Sequence, residues 1–218
     1  MEKTIAWERA LIRMGFVFEK RGESLTFLGE SRENFQLLQR MLESLGVLGS
    51  LDGGIFTPPV PAVDEEQWIS AFYKNRGSRE DFPGEVHRIM LHSLDPYIAG
   101  IVRWCAAIGI RTAMSCDGHG KRLASLYFNR GEERYAAILE ACLALISNGR
   151  WQFRYQYPGR SGHLTIRPSL QARRDSMPGR ERSFEQGWLL DVAEALYRHQ
   201  GVLRELAASM QSVPGDNV

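Results

Sequence analysis

The sequence is poor in the features that mark several common classes of protein. Its 218 residues include three cysteines, too few for a disulfide framework or a four-cysteine zinc site but typical of a reducing compartment. The most apolar stretch, Ile98–Ile110, is interrupted by Arg103 and is too short to span a bilayer. The segment Met1–Gly15 carries Glu2 and Glu8 and has no small-residue cleavage site, unlike a secretory signal. We therefore expect an intracellular, cytoplasmic protein without a membrane partner.

Familiar catalytic and nucleotide-binding motifs are also missing. The chain has no Gly-x-x-x-x-Gly-Lys phosphate loop, no Gly-x-Gly-x-x-Gly segment after a strand, no Gly-x-Ser-x-Gly elbow and no His-Glu-x-x-His pair. These absences count against nucleotide-binding, dinucleotide-binding, serine-hydrolase and zincin functions. The composition itself, with 44% apolar and 24% charged residues, is that of an ordinary folded protein.

A net charge of +1 hides an uneven distribution of charge along the chain. Residues 150–182 contain eight arginines and two acidic residues, a balance of +6. Residues 1–85 contain ten basic and fourteen acidic residues, a balance of −4. A basic C-terminal region of this kind is typical of a polyanion-binding surface, although a solvated arginine-rich loop has the same composition.

Hydrophobic periodicity predicts an α+β fold. Apolar residues at helical spacing predict helices over 5–14, 31–45, 64–73, 95–108, 131–147 and 183–210. Strict alternation predicts strands, most clearly over Trp151–Tyr157 with a return strand over His163–Arg167. Both halves of the chain show the order helix, strand, strand, helix, strand, strand. We therefore expect two αββαββ halves with antiparallel sheets, followed by a C-terminal helix.

The second helix of each half also carries its apolar residues at a constant offset of one hundred positions. The matched residues are Phe35, Leu38, Leu42 and Leu45 in the first half and Tyr135, Ile138, Cys142 and Leu145 in the second. This offset favours an internal duplication. The run Thr57–Pro61, rich in proline, suggests a boundary after the first half. The expected organisation is residues 1–60 as the N-terminal half, 61–94 as a linker with one helix, 95–170 as the C-terminal half, and 171–218 as a basic loop, a helix and a loose tail.

Tandem αββαββ halves over Ile5–Phe56 and Tyr97–Arg167 resemble the LAGLIDADG homing endonuclease fold. In that family two such halves pack through their first helices and lay a saddle of strands on DNA, and an acidic residue ends each first helix to bind a divalent metal. Here the corresponding helix ends read Leu11–Phe16 and Cys105–Ile110, and neither contains an acidic residue. The resemblance therefore implies a fold and a nucleic-acid partner, without the family's catalytic mechanism.

The second half contains six more residues than the first between its opening helix and its second strand, and the segment Ser115–Gly120 lies in that interval. It resembles a Ser-Cys-x-Gly-His signature of bacterial and phage proteins of unknown role, and more loosely a Ser-Cys-x-Gly-Arg segment of the wybutosine-synthesising tRNA methyltransferases. Its glycines, Gly118 and Gly120, allow a close approach to a ligand, and Ser115 lies beside them.

Three chemical interpretations of this segment stay open. Cys116 and His119 have the spacing of half a tetrahedral zinc site, with the other ligands to come from Asp117, His87, His92 or His163. Cys116, Asp117 and His119 can instead form a catalytic group with a thiolate nucleophile. The segment can also be an ordinary polar turn that contains a cysteine.

The last predicted hairpin has one aromatic and one polar face. Trp151, Phe153, Tyr155 and Tyr157 share the aromatic face, which we expect in the core. The polar face contains forked donors suited to phosphate or carboxylate, namely Gln152, Arg154, Gln156, His163, Thr165 and Arg167. We expect Arg154, His163 and Arg167 to bind a ligand. Three functions follow: binding or processing of DNA or RNA, an enzyme for a small anionic substrate that can use a divalent metal, or a non-catalytic interaction module.

Overall fold

The computed structural model of the protein describes residues 4–77, 89–119, 121, 123–128, 133–147, 151–156, 163–168 and 181–212. The described residues form an α+β fold, which confirms the predicted class. Its helices are α1 (Trp7–Met14), α2 (Arg32–Ser44), α3 (Glu65–Asn75), α4 (Pro96–Ala107), α5 (Glu133–Ser147), α6 (Glu181–Arg198) and α7 (Gln200–Ser212). Its strands are β1 (Thr4–Ala6), β2 (Glu19–Arg21), β3 (Ser24–Thr26), β4 (Leu51–Asp52), β5 (Ile55–Phe56), β6 (Ala62–Asp64), β7 (Met114–Cys116), β8 (Ala124–Tyr127), β9 (Trp151–Gln156) and β10 (His163–Pro168). In this part of the chain we find no helix that is both long and apolar enough to cross a membrane.

The two αββαββ halves share one sheet topology. The first half runs α1-β2-β3-α2-β4-β5, and its strands lie side by side in the order β2-β3-β5-β4. The second runs α4-β7-β8-α5-β9-β10, with strands in the order β7-β8-β10-β9. Every pairing in both sheets is antiparallel. By its contacts the chain divides into two compact units, Met1–Gly100 and Ile101–Val218.

The segment predicted as a linker, residues 61–94, contributes directly to the core of the first unit. Strand β6 pairs with β1, so that Ile5 lies opposite Val63. Helix α3 buries Trp68 completely, and the Trp68 indole donates a hydrogen bond of 3.0 Å to the Ala10 carbonyl. The predicted first helix is also shorter than expected. It begins at Trp7, because Ile5 belongs to the β1–β6 pair, a long-range partner that local periodicity does not reveal.

A buried polar network fixes a second part of residues 61–94 to the first unit. Asn34 of α2 is fully buried, and its amide group donates to the carbonyl of Ile89 at 3.0 Å and accepts from the backbone of Leu91 at 2.8 Å. The same amide donates to Glu30 at 3.0 Å. Since each of these groups would otherwise lose its hydrogen bonds to water, Asn34 holds the backbone at Ile89–Leu91 against α2.

In the second unit, the core lies between the sheet and the helices that pack against it. Helix α5 contacts β9 and β10, and α6 and α7 pack against α5. The buried stripe of α5 is centred on Leu139 and Ile146. Leu145, predicted on this stripe, is instead 58% exposed. The matched pairs Leu38/Ile138 and Leu42/Cys142 are buried in both halves.

The C-terminal segment, predicted as one helix over 183–210, forms two helices, α6 and α7, separated at His199. The interruption precedes Gly201, and glycine has a poor helix propensity. Both helices are anchored to the end of α4. Tyr197 packs its ring against Trp104 with centroids 4.8 Å apart, and Arg204 donates to the Ala107 carbonyl at 3.2 Å.

Candidate functional site

The candidate site lies in the β7–β8 loop, which connects the end of β7 to the start of β8. Cys116 ends β7 and pairs with Ser125 of β8. The chain then turns back through Gly118 and His119, both with positive φ (85° and 50°), and the Gly118 carbonyl accepts from the backbone of Lys121 at 2.9 Å. His119 is the sole non-glycine residue with positive φ among the described residues. A positive φ is costly for a residue with a Cβ, so the surrounding contacts hold His119 there.

A buried carboxylate positions the exposed histidine. Asp117 has a side chain only 4% exposed, whereas that of His119 is 54% exposed. The Asp117 Oδ1 atom accepts from the His119 backbone at 2.8 Å and lies 3.3 Å from His119 Nδ1. The two contacts orient the imidazole ring and leave much of it open to solvent.

The thiol of Cys116 completes the group. Cys116 is half-buried and is not in a disulfide, and its Sγ accepts from the backbone of Gly118 at 3.3 Å. One donor atom each from Cys116, Asp117 and His119 lie within 4.8 Å of one another. The structure therefore brings together all three residues that the sequence predicted as a catalytic or metal-binding group.

The other two cysteines are chemically different. Cys105 in α4 and Cys142 in α5 are both fully buried. Burial raises the pKa of the Cys105 thiol far above its usual range, and the neighbouring Cys142 adds to the effect. Burial also raises the pKa of Cys142 to about 11. These two thiols stay protonated at neutral pH and act as small core residues, as the sequence predicted.

Comparisons of the chain with models of protein families, with curated proteins and with solved structures found no match.

The strand register connects the β7–β8 loop to the polar face of the last hairpin. Cys116 on β7 pairs with Ser125 on β8, which pairs with Thr165 on β10, which in turn pairs with Arg154 on β9. Residues paired in this way share one face of the sheet. The Cα atoms of Cys116 and Arg154 are therefore three strand spacings apart, about 14 Å.

The neighbouring rows extend the same face, which we call the polar face. His163 pairs with Gln156 and, through β8, with Tyr127 and Met114. Arg167 pairs with Gln152. Met114 is exposed and Tyr127 half-buried, while Ser125 in the middle of the sheet is buried.

The opposite face of this sheet belongs to the core. Its described residues Leu126, Ala124, Ile166 and Trp151 are all buried. The register puts Phe153 and Tyr155 at positions on this face, beside Ile166 and Leu164. Ser115, predicted as a ligand-binding residue next to Cys116, pairs with Leu126 and so belongs to the core face. Adjacent residues of a strand point to opposite sides, which separates Ser115 from Cys116.

The remaining predicted residues are placed as follows. Gly118 lies in the β7–β8 loop and is buried, while Gly120 and His87 lie outside the described residues. His92 is buried in the first unit. Most of the basic loop after β10 also lies outside the described residues. Arg154, His163 and Arg167 are placed by the backbone register of β9 and β10.

The first unit also has a cleft that no local sequence pattern indicates. A cleft of about 420 Å³ is lined by Trp7, Glu8 and Lys20 together with the proline segment Pro58–Pro61. Lys20 and Glu8 form an exposed ion pair at 2.5 Å beside it. The proline run predicts a boundary in the chain, and its rigid, apolar rings also form part of the wall of the cleft.

Proposed function

We propose that the protein binds nucleic acid through the polar face of the second sheet. The observation that supports this most is the register that aligns Arg154 with Cys116 and puts Arg167 on the same face. The aromatic residues of β9 occupy positions on the core face of the sheet. The proposed contacts are therefore to phosphate and sugar and do not involve stacking on bases.

The charge distribution supports the same proposal. The β9 and β10 positions of the polar face lie within the basic stretch 150–182, which has a balance of +6 in a chain of net charge +1. Guanidinium groups match the geometry of phosphate oxygens with two parallel hydrogen bonds. Counterions released from the nucleic acid then make binding favourable and dependent on salt.

The test is binding of the full chain to a duplex DNA and a single-stranded RNA, measured by fluorescence anisotropy at several salt concentrations. Arg154→Ala and Arg167→Ala should each weaken binding and lower the slope of log K against log salt by about 1. Arg21→Ala is the matched control, since Arg21 is an exposed arginine on a strand of the first sheet. Equal affinity of the wild type and both variants at low salt would disprove the proposal.

The Cys116–Asp117–His119 group supports a second function, an enzyme that acts on a small anionic substrate. A half-buried thiol with an imidazole nearby is the arrangement of a thiolate nucleophile and its base. Inorganic phosphate serves as the probe for this function. If Cys116→Ser loses phosphate binding while its affinity for nucleic acid is unchanged, this function is favoured over the first.

A further inference from the structure

We propose that the β7–β8 loop binds one divalent transition-metal ion, Zn²⁺ by its donor chemistry, through Cys116 Sγ, Asp117 and His119. This site is independent of nucleic-acid binding, since its ligands come from the loop and its binding can be measured without any polyanion. The three donor atoms already lie within 4.8 Å of one another.

The spacing of the donor atoms is close to that of a tetrahedral site. Ligands at the usual zinc distances of about 2.0–2.3 Å are about 3.3–3.8 Å apart on one tetrahedral ion. Asp117 Oδ1 and His119 Nδ1 are 3.3 Å apart. Cys116 Sγ lies within 4.8 Å of a donor atom on each of these residues, and the thiol loses its proton to solvent as the metal–sulfur bond forms.

The donor set selects the metal. Magnesium and calcium take oxygen ligands almost exclusively, so a thiolate and an imidazole exclude both as the natural occupant. Sulfur, nitrogen and carboxylate oxygen are all common ligands of zinc. A cysteine and a histidine three positions apart also have the short spacing found in zinc sites.

Neighbouring groups hold the ligands in position. The Gly118 N–H donates to Cys116 Sγ, and the His119 N–H donates to Asp117. The β7–β8 ladder fixes Cys116 opposite Ser125. The partly exposed imidazole of His119 offers an entry path for the ion.

The experiment uses the full-length protein, stripped of metal with a chelator and titrated with Co²⁺ as a spectroscopic substitute for Zn²⁺. We expect one equivalent to bind with a thiolate-to-cobalt charge-transfer band, and Zn²⁺ to displace it. Zinc should also raise the melting temperature of the wild type, because an ion that binds only the folded chain stabilises it.

Cys116→Ser should abolish the charge-transfer band. His119→Gln removes a direct ligand, so it should weaken cobalt binding by more than the roughly 10- to 100-fold that is typical of losing an outer-shell partner. The side chains of Cys116 and His119 are both partly exposed, so these two variants should fold. Asp117→Asn, at a buried position, is a third variant and should also weaken cobalt binding. Cys142→Ala and His199→Gln are controls that retain wild-type binding. Absence of the band in the wild type, or unchanged affinity in Cys116→Ser and His119→Gln, would overturn the proposal and leave the group a structural Asp–His turn.

Discussion

Arg13 is a charged residue whose side chain the fold buries. It lies on α1, and it is only 1% exposed. Its guanidinium forms an ion pair with Glu65, the first residue of α3, which is 8% exposed at its side chain. Taking each of these charges out of water costs roughly several kcal/mol, and the ion pair between them offsets part of that cost.

Breaking this pair should therefore destabilise the protein strongly. We expect Arg13→Met and Glu65→Gln each to lower the free energy of unfolding by about 3–5 kcal/mol, since each breaks a buried ion pair. The double variant Arg13→Met/Glu65→Leu should recover much of that loss, because it removes both charges. Urea unfolding followed by circular dichroism measures these differences.

The control for this cycle is the exposed pair of Glu19 and Arg21, whose nitrogen and oxygen are 3.3 Å apart. Glu19→Gln should leave the unfolding midpoint nearly unchanged, since exposed ion pairs contribute little. Single variants at Arg13 and Glu65 that behave like Glu19→Gln would contradict the buried pair.

At the scale of the element, the first helices of the two halves end in the same way. Gly15 follows α1 with φ 83°, and Gly109 follows α4 with φ 86°. In each case the next residue donates back to a carbonyl five positions earlier, Phe16 to Leu11 at 3.1 Å and Ile110 to Cys105 at 2.9 Å. This is a Schellman end, with a left-handed glycine and a buried apolar residue after it.

A Cβ at either glycine should be destabilising because the left-handed conformation is strained for other residues. We expect Gly15→Ala and Gly109→Ala each to lower the free energy of unfolding by about 1–2 kcal/mol. Gly201→Ala should act in the opposite direction and stabilise by about 1 kcal/mol, since Gly201 is helical and has open space around it. The measurement is the shift of the urea unfolding midpoint in each of the three variants. Shifts in the same direction for all three would refute this account.

At the scale of the whole molecule, the three thiols should fall into two classes. We expect native, metal-stripped protein to expose one rapidly reacting thiol, Cys116, to a disulfide reagent, and denatured protein to expose three. Cys105 and Cys142 should react slowly even at pH 10, because burial keeps the pKa of Cys142 at about 11 and that of Cys105 higher still. A count below three in denatured, reduced protein would contradict the free thiols.

The same two cysteines make stability depend on pH. Below the ordinary thiol pKa of 9.0, the two thiols keep their protons in the folded and in the unfolded chain. Their contribution to the free energy of unfolding is then fully present. As the pH rises above 9.0, the unfolded chain loses its thiol protons while the folded chain retains them, so the free energy of unfolding falls. Cys105→Ala/Cys142→Ala should flatten this decline between pH 9 and about 11.

Local patterns in the sequence predicted the order of helices and strands in both halves. The Ser31 N-cap, whose Oγ accepts from Asn34 at 3.2 Å, and the turn at Gly53–Gly54 follow from local side-chain and backbone chemistry. Alternation from Trp151 onward likewise predicted β9, because period-two burial is a property of the strand itself. The grouping of Cys116, Asp117 and His119 was predictable for the same reason, since three residues within one tight turn have to be neighbours.

Only the tertiary structure decided the features that join distant segments. The pairing of Ile5 with Val63, the burial of Arg13 against Glu65 and the hydrogen bonds of Asn34 to residues 89–91 link positions more than fifty residues apart. The alignment of Arg154 with Cys116 depends on two further strands between them. Local propensity holds no information about such partners, because their energy comes from burial and pairing that exist only once the chain has folded.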